Sequence, residues 1–186
     1  MSCACPLCQK TDLAPVKLSY DLPALGCTSC GGVLLSLILY SDWRERHPNE
    51  LPPTAARGEA SNLAIEDTKN ALLCPKCRGL MTKYRARADA RNVLDLCAHC
   101  DEVWFDRGEW SQVEDLALSG QLSRVFSDRW QNDLRKADVA QRAEQRYREQ
   151  LGDAFEEMAA LRDRLRDHPK AKEILAYLYT SQTMRR

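Results

Sequence analysis

Nine cysteines stand in this 186-residue chain, and eight of them fall into four C-x-x-C pairs. The pairs are CPLC at 5–8, CTSC at 27–30, CPKC at 74–77 and CAHC at 97–100. Each C-x-x-C makes a tight turn that aims two sulfurs at one point. Two such turns, brought face to face by an intervening hairpin, close a tetrahedron of thiolates around a zinc ion. The expected ligand sets are Cys5, Cys8, Cys27 and Cys30, then Cys74, Cys77, Cys97 and Cys100, giving two Zn2+ per chain. Four protein ligands leave no open position for water or substrate, so these are expected to be structural ions. Iron held by the same sulfurs is the alternative metal. A thioredoxin-like redox pair would need a single C-x-x-C in a βαβ setting, which four pairs in two matched sets do not suit.

The two sets are copies of each other. Cys5 to Cys74 is a shift of 69 positions and Cys27 to Cys97 a shift of 70, the mark of an internal repeat. The repeat also settles the crowded start of the chain. Proline follows the first ligand in CPKC, so Cys5-Pro6-Leu7-Cys8 is the matching pair, and Cys3 is left over. His99 lies inside the last cysteine turn and is expected to be an exposed turn residue, because its ligand set is already complete. His47 and His168 each precede a proline at an element boundary.

Small elements must hold these turns in place. The expected fold is a small metal-stabilised α+β structure: two zinc ribbons, each a β-hairpin with paired C-x-x-C turns, followed by a helical C-terminal region. The boundaries are ribbon 1 over 3–43, a linker over 44–73, ribbon 2 over 74–112 and helices over 113–186. The linker centres on HPNELPPTAARGEASN, rich in proline, alanine and polar residues, with a short helix over 63–72. Asp106 is placed to cap a helix, with Glu109 three residues on to complete a capping box. Tyr147, Leu151, Phe155, Met158, Leu161 and Leu165 recur at steps of three and four, which predicts a long amphipathic helix with a core-facing stripe. Asp167-His168-Pro169 should interrupt it, and Ile174, Leu175 and Leu178 should supply the apolar side of a final helix.

Charge narrows the function classes. Lys plus Arg and Asp plus Glu both number 27, so there is neither a global basic excess for nucleic acid nor an acidic excess for basic partners. The first residues show no basic segment leading into an apolar one, and the longest apolar run, Val33 to Tyr40, is far too short to span a bilayer. A cytoplasmic protein without membrane attachment is expected, and in a reducing compartment clustered cysteines favour metal over disulfides.

The segment from Cys74 to Trp110 resembles the TFIIB-type zinc-ribbon family, whose pattern runs C-P-x-C, a hairpin, then C-x-x-C-x-G-x-W-x-D-x-G-E-L. Cys74, Pro75, Cys77, Cys97, Cys100, Trp104, Asp106, Gly108 and Glu109 match it. Phe105 and Trp110 replace residues that are usually leucine, and Asp101-Glu102 stands where the family has Gly-Gly. The first copy keeps Gly31-Gly32 but lacks the W-x-D-x-G-E run, with Trp43 as the counterpart of Trp110. The resemblance covers less than half of the chain. It implies a metal-held scaffold and, through the family's namesake, a link to transcription.

Two functions are weighed. The first is a non-enzymatic adaptor that docks on a protein partner, by self-association or in a larger complex, through its amphipathic helices. The alternative is a transcription-related or nucleic-acid-binding protein that meets RNA polymerase or nucleic acid through a basic hairpin: Lys83, Arg85 and Arg87 alternate along a strand, and Arg91 follows at its tip. No histidine–carboxylate cluster, phosphate-binding loop or nucleophile elbow appears, so no enzymatic activity is expected.

Overall fold

The computed structural model describes residues 3–9, 11–48, 68–88 and 93–183. Arg91 and most of the expected linker, 49–67, lie outside them. Each repeat contributes three short strands. The first gives β1 (Ala14–Lys17), β2 (Pro23–Gly26) and β3 (Val33–Ser36), and β3 runs straight into α1 (Leu37–Arg46). The second gives β4 (Thr82–Arg85), β5 (Val93–Cys97) and β6 (Glu102–Phe105), then α2 (Glu109–Asp115). As expected, β1–β2 and β4–β5 are the hairpins between the paired cysteine turns.

The third strands change the architecture. β3 pairs antiparallel with β6, and the two ribbons merge into one six-stranded sheet of order β1-β2-β3-β6-β5-β4. Leu34 faces Trp104 in that pairing. The repeat offset of 70 makes Leu34 the equivalent of Trp104, so the copies meet about a local two-fold axis, as identical subunits would. The row continues through every strand: Pro15, Leu25, Leu34, Trp104, Asp95 and Lys83 lie side by side.

Strand alternation sends neighbouring side chains to opposite faces, and the two faces carry separate cores. Leu35, Val103, Phe105, Leu94 and Leu96 point to the helical side, where Trp43 and Trp110 also lie. Leu34, Trp104 and the cysteines form the other core. On the helical side the Tyr40 hydroxyl donates to the Ser119 carbonyl (2.5 Å) and accepts from the Leu122 N–H (3.2 Å), fixing α1 against α3 (Leu122–Val125).

The helical region expected from residue 113 divides in two. Residues up to Asp138 belong with the sheet, and Val139 onward forms a second compact unit; the boundary falls within α4 (Asp128–Leu151). The reason is local: the Trp130 indole donates to the Ala86 carbonyl, and the Gln131 side chain both donates to the Arg85 carbonyl (2.8 Å) and accepts the Arg85 N–H (3.3 Å). Gln131 thereby satisfies the edge of β4 as another strand would. The long helix expected through Tyr147 to Leu165 is broken: Gly152, at φ +52°, opens a 3-10 turn before α5 (Phe155–Leu165). Of its predicted stripe only Phe155 is buried, while Tyr147, Leu151 and Met158 are exposed. The break at His168-Pro169 is present: the His168 ring accepts the Lys170 N–H, and α6 (Ala171–Thr183) follows. Within the expected helix over 63–72, residues 68–72 are not helical, because the Thr68 N–H and C=O are bound by Asp106 and Lys83 instead. Among the described residues no helix is long and apolar enough to cross a membrane.

The close approach of the repeats can be tested at one glycine. A Cβ on Gly32 would stand 2.2 Å from Trp104 Cζ2. Gly32→Ala is expected to cost ~1–3 kcal/mol by overpacking, read as a lower midpoint in denaturant titration with an unchanged slope.

Candidate metal centres

All four cysteine turns share one backbone design. The residue after each second cysteine is left-handed: Gln9 (φ 53°), Gly31 (φ 75°), Arg78 (φ 64°) and Asp101 (φ 54°). Its N–H returns to the carbonyl of the first cysteine, at 3.0, 2.9, 2.8 and 2.8 Å in the same order. This curl points both sulfurs of a pair the same way. Glycine adopts it without strain, and only Gly31 is glycine. In every pair the first cysteine is buried and the second is half-buried at the lip of the turn.

The turns bring together the sets expected from sequence. The sulfurs of Cys5, Cys8, Cys27 and Cys30 lie within 4.8 Å of one another, as do those of Cys74, Cys77, Cys97 and Cys100. Facing sulfurs stand 3.6 Å apart for Cys5–Cys30 and Cys8–Cys27, and 3.5 Å for Cys77–Cys97. Disulfides would need ~2.05 Å. A tetrahedron of Zn–S bonds of ~2.3 Å has edges of ~3.8 Å, so the sets are close to the size of a tetrathiolate zinc site. Cys3 takes no part: its carbonyl accepts the Leu13 N–H, and it lies half-buried outside either set.

The electrostatics show which sulfurs carry protons when no ion is bound. Burial pushes the Cys5, Cys30 and Cys74 thiols up, against the pull of backbone N–H groups. Cys77 moves down to about 7, chiefly because the Gly79 N–H donates to its sulfur, with help from the neighbouring thiols. Its partner Cys100 rises to about 12, chiefly through the hydrogen bond between its own thiol and that of Cys77, with burial adding to it. Four thiolates therefore do not coexist here unaided. A divalent ion bound here would supply the missing charge and displace the protons.

The acids beside the second set are managed by the fold. Asp101 takes the left-handed position that glycine would fill without strain. Glu102, buried, pairs with Lys76 at 2.5 Å. Burial works against the Lys76 charge, but Glu102 outweighs it and holds the Lys76 pKa above its ordinary value. The W-x-D-x-G-E run also resolves into structural work. The Trp104 indole donates to Asp106 (2.7 Å), which also accepts the Thr68 N–H (2.7 Å). Gly108, at φ 87°, turns the chain into α2, and Glu109 accepts the Asp106 N–H (2.8 Å). Only this half of the expected capping box forms, because the Asp106 carboxylate is turned to Trp104 and the helix begins after Gly108.

The basic strip is less free than its sequence suggests. Lys83 binds Asp95 at 2.9 Å and the Thr68 carbonyl at 2.7 Å. Arg85 binds Asp138 at 2.6 Å. Arg87 is exposed, and Arg91 lies outside the described residues. Sequence reasoning missed the two partners because Asp95 lies across the hairpin and Asp138 is more than fifty positions away. It also missed Trp104 as a shared wall: Cys5, Cys27, Cys74, Cys97, Leu34 and Trp104 belong to one apolar cluster.

The fold and its two sites define an α+β protein with a pair of zinc-ribbon-like four-cysteine centres. No known protein family, curated protein or solved structure matches the chain.

Three measurements follow from this geometry. Purified protein should carry two metal ions, and Cys3→Ser should keep both; loss of one would show that the register is wrong. Cys27→Ser should cost the second site as well as the first, because the apolar wall between them is shared. Native mass spectrometry should then show less than one ion per chain; a full second site would show independent centres. Acid should release the metal, since protons compete for sulfurs that bind only as thiolates.

Proposed function

We propose that this chain is a zinc-binding, non-enzymatic interaction protein, with two structural ribbons of the TFIIB type and a helical segment that docks on a protein partner. One observation carries this reading. Eight large apolar side chains are exposed in the unit from Val139 onward, among them Tyr177 at 72 % and Tyr179 at 75 % exposure. That many exposed large apolar side chains in one small unit favour an interaction surface over a solvated face. The zinc identity rests on the four-sulfur donor set and its size. The absence of enzymatic chemistry rests on the work already assigned to the buried carboxylates Asp106 and Glu102.

The transcription-related alternative, with nucleic acid or RNA polymerase at the basic hairpin, draws less support, because Lys83 and Arg85 already neutralise Asp95 and Asp138. Such a surface releases few counterions, and little salt-dependent affinity for DNA or RNA is expected from it.

Affinity capture with the full chain as bait tests the reading, run beside the same bait carrying Tyr177→Asp and Tyr179→Asp. A protein retained by the first and lost by the second, with both metal ions still bound, is the expected outcome. Identical captured sets from the two baits would overturn the docking role. Retention on DNA at low salt that disappears in Arg87→Glu would transfer the function to the hairpin.

A further inference from the structure

We propose that the partner of the helical unit is a second copy of this chain, paired antiparallel through α5 about a two-fold axis between Ala160 and Leu161, with α6 widening the apolar area. The inference rests on the docking role proposed above and names the partner.

Burial gives the first reason. In the unit from Val139 onward, Phe155 is the one buried side chain among the described residues. A helical unit of that size needs more covered apolar surface than this to hold its shape, and oligomerisation is the usual source. α6 sharpens the point. Its stretch Ile174–Thr183 carries no charged residue in a chain that is 29% charged. Leu175, Tyr177, Leu178 and Tyr179 on it are all exposed. The run 174–179 is apolar through more than one full turn, a pattern that belongs against a packed surface. Because a stable interface takes ~800 Å² per partner, α5 alone is too short and the α6 surface is needed.

Charge selects the partner. A strongly basic or acidic protein would find no complementary field on α6, which offers neither sign over that stretch. α5 is polarised: Glu156 and Glu157 stand in its first turn, Arg162 and Arg164 in its last. An antiparallel copy therefore sets acid against base at both ends. Within one copy, Glu156 pairs with Arg148 at 2.7 Å, and Asp163 takes Arg162 and Arg166. Glu157 and Arg164 are exposed and enter none of these pairs. They are seven positions apart, two turns along one face, with Ala160 and Leu161 between them. A two-fold axis at Ala160/Leu161 places Glu157 of each copy opposite Arg164 of the other, and the small Ala160 lets the backbones approach.

Sedimentation equilibrium on the metal-loaded full chain tests this over a concentration series. The wild type should be dimeric. Glu157→Arg alone and Arg164→Glu alone each set like charges together twice, and each should weaken the dimer roughly tenfold or more. The double variant in one chain restores opposite signs and should dimerise like the wild type. An equimolar mixture of the two single variants should form the mixed dimer. Helix content and two bound metal ions confirm that each variant is folded. High salt should narrow the differences by screening. A monomeric wild type at every concentration would overturn the proposal, and a partner lost with the α6 substitutions above would then leave the docking role to a different protein. A dimer indifferent to both single changes, or a double variant as weak as the singles, would remove α5 from the seam.

Discussion

The pairing of β3 with β6 is the constraint on which the rest of the sheet side depends. Neither hairpin alone has two covered faces. Two-stranded ribbons are marginal in water, and a metal ion at one end does not cover their sides. Once β3 and β6 join, each repeat becomes the other's neighbour, and Leu34 and Trp104 are buried on the axis between them. That burial creates the sequence asymmetry. Trp104 fills the space on its side so fully that Gly32 must stay glycine. At the equivalent place in the second repeat stands Glu102, paired with Lys76.

The metal sites inherit this coupling. Each set draws its buried cysteines from both ends of a hairpin, and all four buried cysteines line the apolar cluster that contains Trp104. An ion at either site would therefore order a wall that the other site shares. The buried acids serve the same end. Asp95 is neutralised by Lys83 across the hairpin, Glu102 by Lys76 of the facing turn, and Asp106 holds the indole and the Thr68 N–H together. Buried carboxylates are costly unless paired and hydrogen-bonded, and here each one fastens a different piece of chain to the sheet.

What was legible in the sequence was local. Cysteine spacing identified both ligand sets, and the proline of CPKC fixed the register that leaves Cys3 outside, because a C-x-x-C turn is determined by a few consecutive residues. The hairpins between the turns were legible for the same reason. The joining of the repeats was not: nothing in VLLS or EVWF states that one will pair with the other, since strand pairing is decided by the whole arrangement. The basic strip failed as a free surface because its partners come from elsewhere, Asp95 across the hairpin and Asp138 from α4. The single long helix failed at Gly152, where spacing alone gave an unbroken stripe but the backbone turned left-handed.

The two units divide the labour of stability differently. Residues up to Asp138 are held from within, by a sheet with a core on each face and two four-cysteine sites that could each hold a metal ion. From Val139 onward the balance reverses, with local ion pairs on the surface and apolar groups left uncovered. Exposed ion pairs contribute little, so they do not replace a core. A segment built this way has little internal burial to hold its order.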